Sequence, residues 1–381
     1  MMRPSPSRNW YEPGASGIVP EGGRATIVST LSLGTYLGPG RHQEGNTLSI
    51  LLVVQAGHDE TTGNESQLLQ FGNSTVFGTI LDRVAGFEDG PVVVAISDLP
   101  ADDQLEEIAN EREIPVVRAP SDDLLARFVE VIADYPAEHL VRVTTSSPLI
   151  DRHLISSIVD AHTTSGADYT SNTLLRTHPA GLDVEVIRSD ALLDAAEQAE
   201  SADERAGVTT FVQRRPADYK LQAVLAPGDY EDHAWSGDDE SLERITQLIQ
   251  KSGGSFDRAW DNLLAYDRPQ IPDSAVRLRV ARNNVLEHLD ELTDTIGFPP
   301  DPFPIGDPTR RSWGVWAGDE LIGAIVVSVQ NGWGTLAGKF RPGIDGDLAP
   351  QALAAVDERL LADEQVIALT IDGSAIRNYR S

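Results

Sequence analysis

The stretch 46–55, NTLSILLVVQ, is a continuous apolar, β-branched run. Such a run marks a strand buried on both faces, which requires helices packed on either side of its sheet. The residues behind it supply those helices in alternation with further strands. The pattern predicts a helix near Val76 to Val84, the strand PVVVAIS (91–97), a helix around Leu105 to Arg112 and a short strand from Pro115 to Arg118. Asp122 and Asp123 open the next helix, where carboxylates suit the positive end of the helix dipole. The strand His139 to Thr144, the helix Ile150 to Ser165 and the strands Asp168 to Ser171 and Leu182 to Ile187 come next, and a helix at 239–251 closes the series. Strands and helices in strict succession imply an α/β domain with a parallel, Rossmann-like sheet.

This divides the 381 residues into four parts. Residues 1–46, rich in Gly, Pro and Ser, read as a tail that is disordered or loosely docked, with one short strand at 25–28. Residues 47–252 form the first domain. SGGS at 252–255 and the Pro-rich stretch behind it make 253–274 a linker. Residues 275–381 read as a second, smaller α+β domain: the strand Val276 to Val280, a helix Val285 to Ile296, and the strands Trp313 to Trp316 and Glu320 to Val329 joined by a hairpin turn. Beyond them lie a strand Trp333 to Phe340, a helix Pro350 to Leu361 and a strand Val366 to Ile371.

Charge narrows the function. Fifty-nine acidic against thirty basic residues give a formal net charge of -29, and Lys220, Lys251 and Lys339 are the lysines. Such a surface repels nucleic acid and anionic membrane at ordinary salt. It is tolerable in molar salt, where charges are screened over a few ångströms, so the composition reads as that of a salt-adapted protein. No apolar run approaches the roughly 18 residues of a membrane span, and the start has no signal-peptide pattern, so a cytoplasmic protein is expected. Zero cysteines exclude thiolate chemistry and disulfides. The eight histidines show no HExxH or HxH spacing.

Several phrases in register resemble the cytidylyltransferases that make CMP-sugars, especially the SpsF type of surface-polysaccharide biosynthesis. They are VVVAISD (92–98) with LEEIANEREIPVVR behind it, SDDLLARF (121–128) beside the family's DDVLARY, VRVTTSSPLID (141–151) beside VRITGDCPLID, and GADYTSNTLLRTHPAGLDVEV (166–186). The resemblance implies a seven-stranded sheet of nucleotide-diphospho-sugar-transferase type. It also implies attack of a sugar oxygen on the α-phosphate of CTP, with arginines and a lysine of a QARxxSxRxPxK loop on the phosphates and aspartates on magnesium. In this chain Gln55 and Ala56 match, but Gly57, Thr62 and Ser66 stand where two arginines and the lysine belong, and Asp59, Glu60 and Glu65 have entered. A triphosphate of about -4 would meet like charge there, each close pair costing on the order of 1 to 4 kcal/mol.

Ser146 replaces the aspartate of the family's GDCP phrase. Gly237 falls where a VDTP aspartate belongs, with Asp238 and Asp239 beside it as the remaining metal candidates. REHVT appears as Arg205-Ala206-Gly207-Val208-Thr209. The substrate-side residues Gln55, Arg142, Arg176, His178, Asp183 and Glu185 match the family; read structurally instead, Asp183 and Glu185 alternate on a strand and Arg142 pairs with a helix carboxylate.

The second domain resembles GNAT acetyltransferases in its order of elements, and Gly343 and Gly346 occupy the turn that would receive the pyrophosphate of acetyl-CoA. Asp345 and Asp347 oppose that ligand's charge. Three readings result. The first is a sugar or sugar-nucleotide binding relic, dimerising with itself or with an active paralogue. The second is a divergent nucleotidyltransferase using CTP and magnesium. The third is an acetyltransferase acting on a sugar nucleotide.

Overall fold

The computed structural model describes residues 49–57, 65–120, 123–228, 230–267, 276–280, 310–317, 320–330, 332–340 and parts of 351–378. The tail at 1–46, the 58–64 part of the altered loop, the helix expected from Val285 to Ile296, and Gly343 and Gly346 lie outside them.

The first unit runs β1 (Ile50–Gln55), β2 (Gln70–Phe71), β3 (Ser74–Thr75), α1 (Val76–Val84), β4 (Val92–Ser97), α2 (Asp103–Asn110), β5 (Val116–Ala119), α3 (Leu124–Asp134) and β6 (His139–Thr144). It continues through α4 (Arg152–Ser165), β7 (Tyr169–Ser171), β8 (Glu185–Arg188), α5 (Ser189–Gln198), α6 (Ala202–Ala206), α7 (Thr210–Gln213), β9 (Leu221–Ala223), α8 (Asp239–Lys251) and α9 (Trp260–Leu264).

Seven strands form one sheet in the order β5-β4-β1-β6-β8-β7-β9. The apolar run of β1 lies in its middle, paired in parallel with β4 and β6. Its side chains alternate between two cores. Ile50, Leu52 and Val54 join the core under α1, α4 and α8, while Leu51 and Val53 join the one under α3 and α5. Both faces are therefore covered, which is why the run carries no polar alternation.

The sheet departs from the all-parallel expectation at β8, which runs antiparallel to β6 and to β7. A parallel return needs a crossover, usually a helix. The connection at 172–184 carries no helix, so the chain doubles back as β8 and leaves that connection across the carboxyl ends of the strands.

Past α8 the chain turns at Gly253 and Gly254, both at positive φ (109° and 79°) where glycine is at ease, and packs back on the first unit. Phe256 sets its ring edge-on against Phe71 at 4.9 Å, and Leu263 of α9 is buried in the first core. The buried Arg83 of α1 ties this segment down by donating to the carbonyls of Leu149 (2.9 Å), Ile150 (2.6 Å), Arg258 (3.2 Å) and Phe256.

A second, six-stranded sheet comprises β10 (Val276–Val280), β11 (Arg310–Ala317), β12 (Glu320–Gln330), β13 (Trp333–Phe340), β14 (Ala368–Ile371) and β15 (Ser374–Asn378), in that spatial order. The pairing is antiparallel except between β13 and β14. Leu278, Trp313, Val315, Ile322, Ile325 and Val327 build its core against Ala352, Val356 and Leu360 of a segment whose described residues are helical.

Candidate functional site

The site is assembled where β1 and β6 end, β8 begins and the 172–184 connection crosses them. Cross-strand register sets Arg142 of β6 opposite Glu185 of β8. The two side chains form an ion pair, and Arg142 Nε donates to Gln55 Oε1 at the end of β1 (2.7 Å). Glu185 is fixed from behind. Its Oε1 accepts from Tyr169 Oη (2.6 Å), Thr209 Oγ1 (2.6 Å) and Gln213 Nε2 (3.2 Å), and Gln213 also donates to Tyr169 and Thr209 (both 2.9 Å). A buried carboxylate this fully satisfied holds one rotamer, and through it the guanidinium of Arg142.

Beside this network Arg176 clasps Asp183 in a two-pronged pair (2.7 and 2.9 Å). Burial works against the Arg176 charge, but Asp183 and then Glu231 outweigh it and raise its pKa above the ordinary value. Arg142, Arg176, Asp183 and Glu185 all line one cavity of about 600 Å³; Gln55 touches it through Arg142. The cavity floor is completed by Thr144, Ser146, Thr209 and Gln213, and its far side by Glu231, Arg311, Trp313 and Arg359. His178 is buried against Trp260, ring centroids 5.3 Å apart.

The loop after β1 begins at Gly57, whose φ is 127°. A Cβ there would lie 2.7 Å from Asp102 Oδ2, so an arginine at this position would strain the backbone and collide. The buried Arg127 of α3 donates to the Ala56 carbonyl (3.2 Å); desolvation lowers its pKa, against the pull of Asp102 and Asp98. Its place in SDDLLARF carried no hint of that contact.

The two positions read as lost metal ligands are neighbours in space. Gly237 N donates to the Ser146 carbonyl (2.9 Å), and Ser146 Oγ lies 2.5 Å from Thr144 Oγ1. A Cβ on Gly237 would come within 2.7 Å of the Thr145 carbonyl, so an aspartate cannot be set there without moving backbone. Asp238 caps α8: its Oδ1 accepts from Ser241 N (2.9 Å) and its Oδ2 from Ser236 Oγ. Burial opposes that charge, but the Ser236 and Ser241 hydrogen bonds prevail and leave the carboxyl below the usual range. The backbone of Asp239 begins the same helix. Among the described residues no group of three histidines, aspartates or glutamates is placed to hold a metal. Magnesium takes one or two carboxylates together with substrate phosphates and waters, and the Asp238 carboxylate is engaged here as the cap of α8.

Sequence reasoning missed the support of Glu185 by Tyr169 and Gln213, and the whole far wall. Thr209 was within reach, as the final residue of the altered REHVT phrase. Arg205 of that phrase pairs with Asp123 (2.6 Å), the cap of α3.

A doubly covered, mostly parallel sheet with its cavity at the carboxyl ends of the strands defines an α/β protein of the kind that binds small molecules at a strand-end crevice. A family profile described as cytidylyltransferase matches residues 65–260, just over half of the 381. The chain belongs to the cytidylyltransferase family. It is 28% identical over 213 residues to the spore coat polysaccharide biosynthesis protein SpsF of Bacillus subtilis, covering 54% of this chain and 88% of that one. It is 27% identical over 186 residues to an uncharacterized protein of Methanocaldococcus jannaschii, covering 48% and 74% respectively. A solved cytidylyltransferase from Leptospira borgpetersenii shares the fold at a TM-score of 0.54 and 23% identity, over 57% of this chain and 93% of its own.

Proposed function

We propose that this protein serves surface-polysaccharide, CMP-sugar, biosynthesis as a binder of a sugar or sugar nucleotide, and that it has lost the phosphate and metal chemistry that activates CTP. The contrast between the two halves of the cleft carries this reading. On one side four family-matching residues, Arg142, Arg176, Asp183 and Glu185, line a cavity in locked ion pairs. On the other, Ser146 meets Gly237 backbone to backbone where the family's carboxylates belong, and Gly57 sits in a conformation that would strain an arginine. Salt adaptation adds acids to outer surfaces; it gives no reason to remove side chains that touch substrate. The function of such a module would be to sense a glycan precursor, as a homodimer or beside an active paralogue.

Calorimetry with CTP and magnesium in molar KCl, paired with a pyrophosphate-release assay, tests this. The expected result is no CTP signal and no pyrophosphate. Micromolar CTP binding or turnover would sink the reading in favour of a divergent nucleotidyltransferase, and heat with acetyl-CoA alone would move the activity to the GNAT-like second unit.

A further inference from the structure

Every carboxylate on the described lining of the cavity already has its own guanidinium: Glu185 has Arg142, Asp183 has Arg176 and Glu231 has Arg359. The remaining lining cation, Arg311, is 1% exposed and is itself engaged. The cavity therefore offers paired charge and no free one. An entering carboxylate or phosphate would have to take a guanidinium from its partner, stranding that partner, or lie unpaired beside three acids. The field of a chain with 59 acids and 30 bases also opposes the approach of an anion. A hydroxyl group meets neither obstacle, because it donates and accepts at once and can join an ion pair without breaking it. The pair most open to such a guest is Arg176 with Asp183, whose side chains are 31% and 33% exposed. Each guanidinium nitrogen that holds Asp183 carries a second hydrogen, and each Asp183 oxygen a further lone pair. Thr144, Ser146 and Thr173 add hydroxyls to the lining, and Trp313 offers a rigid apolar surface for the carbon face of a ring.

We propose that this cavity takes an uncharged polyhydroxylated ligand, a neutral sugar without carboxylate or phosphate, and that Arg176 and Asp183 together read two adjacent ring hydroxyls. This rests on the reading of the cavity as a sugar site and narrows it to the sugar alone. One hydroxyl accepts from Arg176 while its neighbour donates to Asp183, so the pair stays closed as the ligand binds. Glu185 and Glu231 keep Arg142 and Arg359 occupied, which removes the free cations that an acidic sugar would need.

The test is calorimetry on the full chain at one fixed KCl concentration, with glucose, galactose and mannose set against glucuronate, galacturonate and mannuronate, pairs that differ only at the sixth carbon. At least one neutral sugar is expected to bind, about tenfold or more tighter than its acid, a difference of about 1.4 kcal/mol. Asp183→Asn and Glu231→Gln each remove the negative charge that balances one guanidinium. Both variants should bind the acid more tightly than the parent does, and Asp183→Asn should also weaken the neutral sugar about tenfold. The gain for the acid guards against misfolding, since a collapsed site gains affinity for nothing. An acid that binds as tightly as its neutral counterpart or tighter, or variants that keep the parent's preference, would overturn the neutral assignment and leave the cavity a sugar site. No heat with any of the six would overturn both. Pyrophosphate release from CTP would refute the loss of activation chemistry and leave these results untouched, because no probe contains a nucleotide.

Discussion

Glu185 accepts three hydrogen bonds on one oxygen and pairs with Arg142 through the other, at 8% exposure. Removing one partner of such a pair strands the other charge, at a cost of about 3 to 5 kcal/mol, whereas removing both is far milder. Glu185→Gln should therefore lower the unfolding free energy by about 3 kcal/mol in urea titration, and Arg142→Met placed on top of it should recover much of the loss. An unchanged midpoint for Glu185→Gln would show that the network does not hold Arg142. At this scale the sequence was informative where spacing is local. Arg176, Asp183 and Glu185 fall within the 172–184 connection and the first residue of β8, Arg142 stands on β6 ahead of α4 and β7, and all four reach the cavity. Tyr169 and Gln213 meet Glu185 only because β7 and α7 fold onto β8. Arg311 and Trp313 arrive from a different sheet and Arg359 from the helical 351–360 segment packed on it, and no local pattern announces such a meeting.

Asp151 shows how one side chain joins elements. It caps α4, its Oδ1 accepting from the amides of His153 (2.8 Å) and Leu154 (3.3 Å), while its Oδ2 accepts from Trp260 N (3.1 Å) at the start of α9. A lost cap costs about 1 kcal/mol, and the orphaned Trp260 amide adds a comparable term. Asp151→Ala should lower stability by about 2 kcal/mol and raise amide exchange across α9 more than across β1. Equal exchange in α9 before and after the change would show that Asp151 does not anchor it. The main helices and strands from β1 to β8, and α8, were legible from periodicity, and β6 begins and ends where the apolar pattern does, whereas α5, α6, α7 and β9 were not read in advance. Two further features were not. The reversal of β8 depends on the absence of a helix at 172–184, which a phrase rich in Asn, Thr, His and Pro signals only weakly. The packing of 253–267 was masked by its Gly and Ser: Phe256, Trp260 and Leu263 are three contacts spread through a polar stretch, too sparse to register as a period.

Over the whole molecule the charge of -29 sets a competition between two effects of salt. Screening relaxes the repulsion among acids spread over the surface, because the Debye length falls to about 3 Å at 1 M. It also weakens exposed pairs such as Arg112 with Asp82 and Arg118 with Asp103, where the acids are 57% and 62% exposed. Pairs of that kind contribute at most about 1 kcal/mol each, and 30 basic residues paired one to one leave nearly half of the 59 acids without a cation. Repulsion therefore dominates, and stability should rise as KCl is raised from dilute to molar, with Tm climbing by several degrees in differential scanning calorimetry. Sulfate would confuse the test, since it also strengthens apolar burial, so potassium chloride is the salt to vary. The cavity should respond the other way. Its pairs Arg142 with Glu185 and Arg359 with Glu231 have acids only 10% and 8% exposed and are screened less than the surface pairs, but an incoming anion must compete with chloride for the same guanidiniums. A Tm that falls in molar KCl would mean that surface pairing outweighs self-repulsion, and would remove the physical ground for reading this acidic composition as salt adaptation.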